Sequence, residues 1–97
     1  MHAIATPIPE QISAVVRGYI VNNFLFGDGS GLSNSESLLE AGALDSTGVI
    51  ELVGFLEESF SISIRDEDLV PEHFDGIDRI TRFVVARLRD RSAPVQG

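Results

Sequence analysis

The sequence predicts a small all-α domain with three major helices and a long first connection. Apolar residues recur at three- and four-residue steps in three separated stretches, which is the mark of one buried helix face. No stretch sustains the strict alternation of a half-buried strand. Ser61-Ile62-Ser63-Ile64 alternates over four residues only and reads as an extended connector. The chain has 97 residues, enough for one domain with one small core.

The first helix is expected from about Pro9 to Phe26, burying Ile12, Val15, Val16, Tyr19 and Ile20. Pro7 and Pro9 suit a first turn, where a missing N–H costs nothing, and Gly27 is a stop signal. The second runs from Ser46 to about Phe60, with Val49, Val53, Leu56 and Phe60 on one stripe and Leu52 beside it. The third runs from about Ile77 to Arg91 on Ile80, Val84 and Leu88, with Phe83 adjacent. Arg82, Arg87, Arg89 and Arg91 fill its C-terminal half, where positive charge complements the helix dipole. A shorter piece, Asp66 to Val70, stops at Pro71, with a turn around Glu72-His73-Phe74. Gly27 to Asp45 is long for an unstructured connection. It carries Leu32, Leu38, Leu39, Ala43 and Leu44, which a disordered linker has no reason to hold. It is expected to lie across the bundle on those residues, with a turn at Ser37 to Glu40. The chain thus divides into an N-terminal extension (1–8), a folded domain (9–91) and a frayed tail (92–97).

Composition removes several function classes. Fifteen Asp and Glu against seven Arg, with no Lys, give a net charge of −8. That field repels phosphate backbones, so nucleic acid is disfavoured, and it attracts partners with basic patches. Cysteine is absent, which excludes disulfides and a cysteine nucleophile. Two histidines, His2 and His73, cannot make a His-rich metal site. No run is apolar for the ~18 residues of a membrane span, and the N-terminus does not read as a secretory signal. A cytoplasmic monomer is the simplest expectation.

Asp28-Gly29-Ser30-Gly31-Leu32-Ser33 has the outline of a calcium loop but lacks its glycine and final glutamate. The same glycines lack the lysine of a phosphate-binding loop. Glu57-Glu58 has no evident pocket for acid–base work. His73 and the phenylalanines Phe24, Phe26, Phe55, Phe60, Phe74 and Phe83 read as packing residues. No enzyme is expected.

The informative stretch is Leu44-Asp45-Ser46-Thr47-Gly48. Asp45 precedes an apolar stripe and is placed to cap the helix by accepting from the N–H of Thr47 or Gly48. Ser46 is then the first helical residue, beside free N–H groups and the positive end of the dipole, where an attached anion is favoured. A hydroxyl needs a base to act as a nucleophile, and no histidine is near in sequence. Ser46 therefore reads as a site modified by a partner enzyme.

Leu39-Glu40-Ala41-Gly42-Ala43-Leu44-Asp45-Ser46, followed by Val49, Glu51-Leu52-Val53, Leu56-Glu57-Glu58, Phe60, Ile64, Asp68-Leu69 and Phe74, resembles the acyl carrier protein family from about Glu10 to Arg91. The resemblance implies a four-helix bundle with one short helix. It implies that Ser46 accepts 4′-phosphopantetheine from coenzyme A through a phosphopantetheinyl transferase, which holds most of the Mg²⁺ coordination. The arm's thiol would carry acyl or aminoacyl cargo as a thioester, loaded by a ligase or transferase and passed to downstream enzymes. Asp45 takes the family's acidic position, for capping and transferase contact. Thr47 stands where many members have leucine, and the Gly-Gly-X-Ser pattern of peptidyl carriers is missing. Leu-Asp-Ser-Thr-Gly is more similar to free-standing carriers that serve an AMP-forming ligase or a specialised acyl pathway.

On a helical wheel Glu51 and Glu58 point away from the apolar stripe, and Ile50 and Glu57 lie on a flank near Ser46. Gly54 sits on the exposed side, where it costs roughly 1 kcal/mol against alanine. Ile50, Glu51, Gly54, Glu57 and Glu58 are the expected partner-recognition residues, matched to an Arg-rimmed apolar pocket. Asp66, Glu67, Asp68 and Glu72 make a second acidic cluster. A different reading is an unmodified acidic helical domain that docks on a basic partner through these carboxylates alone.

Overall fold

The computed structural model describes residues 7–25 and 27–92. Most of the expected extension, Phe26, and the tail from residue 93 lie outside the described residues. Four α-helices make up the bundle: α1 (Pro9–Phe24), α2 (Ser46–Phe60), α3 (Pro71–Phe74) and α4 (Ile77–Ser92). There is no strand among the described residues. The architecture is the all-α bundle expected, with three long helices and one short one.

In α1, Pro9 takes the first helical position and the Gln11 side chain accepts from the Ile8 N–H at 3.0 Å. The helix buries Ile12, Val16 and Ile20 in a strict four-residue step. Val15, expected on that face, is 42% exposed. It lies a quarter-turn from Val16, and α4 covers only a narrow stripe of α1. The helix also stops short of Phe26. Gly27, at φ 85°, donates its N–H to the Val21 carbonyl at 2.9 Å. That left-handed backbone, open to glycine, ends the turn.

The long connection packs as expected, with one exception. Leu32, Leu38, Ala43 and Leu44 are buried, whereas Leu39 is 44% exposed. The Ser37 carbonyl accepts from Ala41 and the Leu38 carbonyl from Ala43, each at 3.0 Å, so a tight turn turns Leu38 inward and Leu39 outward. Arg17 ties the loop to α1, donating to Asn34 Oδ1 at 2.9 Å and to the Gly29 carbonyl at 2.8 Å. Asp75 ties it to the corner between α3 and α4, accepting from the Ser37 hydroxyl at 2.6 Å and the Leu39 N–H at 2.8 Å.

The short helix is not where the sequence placed it. Asp66–Asp68 forms a 3-10 turn, and the single α-turn begins at Pro71. Proline suits a first helical position, so Pro71 starts this turn as well as ending what precedes it. Asp68 also leaves the expected acidic cluster. It is buried, accepts from the Arg65 N–H at 3.0 Å and pairs with Arg87, whose guanidinium lies 5.0 Å from the Phe83 ring centre. His73 completes the clasp, with Nδ1 2.8 Å from the Asp68 carbonyl and its ring 5.0 Å from that of Phe83.

The Arg65 N–H holds the Asp68 carboxyl below the usual carboxylate range; burial opposes this, and the charges of Arg87, His73 and Arg65 add to it. A carboxyl lowered in the folded state stabilises the fold above its unfolded pKa, and that contribution disappears as pH falls through the folded value. Asp68→Asn should therefore lower the urea midpoint at pH ~7. The difference from the parent chain should shrink as pH drops below the ordinary aspartate value of about 3.9. Urea titrations of both proteins across pH check this.

α4 packs against α1, α2 and α3 and supplies Ile77, Ile80, Phe83, Val84 and Leu88 to the core. Thr81 is buried there, and its hydroxyl donates to the Ile77 carbonyl at 2.7 Å. In α2 the buried face is Gly48, Leu52, Leu56 and Phe60, with Val49 and Val53 half-buried. That face is turned from the expected stripe by about 50° at 100° per residue. On the Val49 side the helix borders an open groove shared with Leu69, Val70, Pro71 and Phe74.

Candidate functional site

The front of α2 is built by its cap. Asp45 is extended (φ −124°, ψ −176°), and its carboxylate accepts from the Gly48 N–H at 2.7 Å. Its carbonyl accepts from the Val49 N–H at 2.9 Å. The first N–H groups of a helix lack intrahelical partners, so those of Ser46 and Thr47 remain for an anion beside the Ser46 hydroxyl. Replacing Asp45 by alanine should cost about 1 kcal/mol of stability, the usual worth of a side-chain cap, readable as a lower denaturation midpoint.

Ser46 opens α2 and is exposed. Among the described residues no side chain is hydrogen-bonded to its hydroxyl, and no group of three or more His, Cys, Asp or Glu is arranged to hold a metal ion.

Beside Ser46 lies a groove of about 340 Å³, lined by Leu39, Val49, Ile50, Leu69, Val70, Pro71, Phe74 and Asp75. The large apolar side chains that the described residues expose are Ile8, Val15, Leu39, Ile50 and Leu69, and the last three line this groove. Surface apolar residues are ordinary when scattered; three converging on one hydroxyl form a patch. Leu39 thus belongs to the site and not to the core. The sequence signal was present, since Leu38-Leu39 is a pair of which a tight turn can bury only one.

The expected recognition residues divide between two sides of α2. Ile50 is 67% exposed on the Ser46 side. Glu57 shares that stripe but is half-buried, and one of its carboxylate oxygens accepts from the Ile64 N–H at 2.9 Å. This carboxylate pins the extended connector, so it is not simply a solvent-facing charge. Glu51, Gly54 and Glu58 are exposed on the other stripe, in line with Thr47. Glu51 faces α1: Thr47, Glu51, Asn23 and Phe24 line a shallow depression there. Burial, with the charge of Glu51 adding, raises the pKa of Tyr19, whose ring stacks on Phe55 at 4.1 Å.

The comparisons with known proteins agree with one another. The chain is 29% identical over 79 residues to the probable acyl carrier protein PigG of a Serratia species, covering 81% of this chain and 87% of that protein. It is 26% identical over 93 residues to aminoacyl carrier protein 1 of Bradyrhizobium diazoefficiens, covering 96% and 99%. Aminoacyl carrier protein 2 of the same organism is 26% identical over 88 residues, covering 91% and 94%. Over most of its length the chain is similar to acyl and aminoacyl carrier proteins. No family model matches it. No helix among the described residues is long and apolar enough to cross a membrane.

Proposed function

We propose that Ser46 is the attachment point of a 4′-phosphopantetheine arm and that the protein is a non-catalytic carrier of acyl or aminoacyl thioesters. The observation that carries this reading is the placement of one exposed, unengaged hydroxyl at the capped front of α2, against an apolar groove. In the attachment, Ser46 Oγ forms a bond to the β-phosphorus of coenzyme A. The bond to the adenosine 3′,5′-bisphosphate leaving group breaks, and a base on the transferase takes the hydroxyl proton. The residues present fit the group: the α2 N-terminus favours the phosphodiester anion, and the apolar groove offers cover to an uncharged chain. When bound, the arm supplies the thiol that this cysteine-free sequence lacks.

Ile50, Leu39 and Leu69 give partner enzymes an apolar foothold beside Ser46, and Glu51 and Glu58, with Gly54 between them, give a second surface that a basic rim can read. Such partners are a phosphopantetheinyl transferase, a loading ligase or transferase, and the enzymes that use the cargo. Two of the relatives are named aminoacyl carriers, which favours aminoacyl cargo delivered by an AMP-forming ligase. Incubation with coenzyme A, Mg²⁺ and a broad-range transferase should raise the intact mass by one phosphopantetheine. An unchanged mass, under conditions that convert a control carrier, contradicts the reading.

A further inference from the structure

The front of α2 is packed so closely that a side chain at Gly48 would make its neighbours give by a few tenths of an ångström. A Cβ on Gly48 would lie 3.0 Å from Leu44 Cδ1, 3.1 Å from Phe24 Cε1 and 3.2 Å from Asp45 Oδ1. These neighbours come from the long loop, the end of α1 and the cap itself. Helix propensity alone would favour alanine here, so space and not backbone freedom calls for glycine.

The three neighbours do not yield equally. Leu44 is buried. The Phe24 ring meets Tyr19 edge-on at 5.8 Å, and Tyr19 is itself stacked on Phe55. The Asp45 carboxylate is on an exposed residue and is held by the Gly48 N–H at 2.7 Å. Crowding at Gly48 would therefore be relieved at the cap, and Ser46 is the next residue along the chain.

We propose that Gly48 is a positioning residue for the modification of Ser46, an inference that rests on the reading of Ser46 above. Its missing side chain lets Phe24 and Leu44 close on the first turn of α2, so that the Asp45 cap fixes where the Ser46 hydroxyl stands. A displacement of about an ångström at a reacting group costs up to ~10²-fold in rate, and the few tenths of an ångström that the crowding demands are expected to cost about tenfold.

The test compares the parent chain with Gly48→Ala, Phe24→Leu and the double variant, each incubated with coenzyme A, Mg²⁺ and a broad-range transferase. Conversion is followed by intact mass at several carrier concentrations, and folding by circular dichroism. Gly48→Ala should lower the transferase kcat about tenfold while its KM for the carrier stays within about twofold, the split expected of a misplaced reacting group. Phe24→Leu alone should cost less kcat than Gly48→Ala, because it loosens one wall without crowding the cap, and the double variant should be faster than Gly48→Ala, because the ring edge is gone. A folded Gly48→Ala protein converted at the parent rate, a change confined to KM, or a double variant no faster than the single would each overturn the proposal. Should Gly48→Ala fail to fold, a double variant that folds and converts supports it, and one that remains unfolded overturns it. A parent chain that is never converted removes the reading of Ser46 itself, a result distinct from these.

Discussion

Replacing Ser46 by alanine is expected to abolish acceptance of the phosphopantetheine group and leave the fold intact. In the proposed attachment the hydroxyl oxygen forms the new bond, so no residual conversion is expected on intact mass. The fold should not notice, because Ser46 is exposed, its hydroxyl holds no neighbour among the described residues, and the cap belongs to Asp45. Surface changes of this kind usually stay within about 0.5 kcal/mol. Helical circular dichroism and the thermal midpoint should match the parent chain. An unmodified docking domain predicts the opposite pattern: partner binding unchanged in Ser46→Ala and weakened, in a salt-dependent way, by Glu51 and Glu58 substitutions.

The largest effect on stability is expected from a residue outside every helix. Leu38 is fully buried although it sits in the long connection. Its side chain joins the same core cluster as Ile12 of α1, Leu52 of α2, Phe74 of α3 and Ile80 of α4. Truncation to alanine removes that packing and leaves a cavity, at a cost of about 3 kcal/mol. For a domain of this size that is a fall in melting temperature on the order of 15 °C. Leu39→Ala, next along the chain but half in solvent, should scarcely move the melting temperature and should instead slow partner reactions at Ser46. The pair of melting curves separates a loop that is part of the core from one that merely spans it.

What the sequence revealed was what local chemistry decides. The start of α2 was legible because a cap acts over three residues: Asp45 and Gly48 are enough to define it. The anchoring of the long loop was legible because Leu32, Leu38, Ala43 and Leu44 have no other reason to be there. Which side of a helix faces inward was less legible, because neighbours decide it. Val15 and Val53 fit the periodicity of their helices, yet Val15 is exposed and Val53 half-buried. Polar residues that act at long range gave no signal. Arg17 holds a loop carbonyl twelve residues away, Asp75 holds a serine hydroxyl thirty-eight residues away, and Asp68 reaches Arg87 across the bundle. Each looks like an ordinary surface charge until the chain is folded. Gly48 likewise gave no signal of its own, because its packing partner Phe24 lies at the far end of the long connection.

The groove shows how the fold and the site depend on each other. Its walls are the uncovered flank of α2, the outward leucine of a tight turn, and the short segment from Leu69 to Phe74. Val49, half-buried, lines this groove together with the exposed Leu39, Ile50 and Leu69 beside Ser46. Two clasps hold this wall, Asp68 with Arg87 toward α4 and Asp75 with Ser37 and Leu39 toward the loop.

The most direct measurement is fragment mapping of protein fully converted by a transferase. The chain offers other exposed serines to the same reagent, among them Ser30, Ser33 and Ser35 in the long loop. The added group should reside entirely on the fragment that contains Ser46 and, on further fragmentation, on Ser46 alone. Recovery of the group on any of the loop serines, or spread among several, would contradict the account.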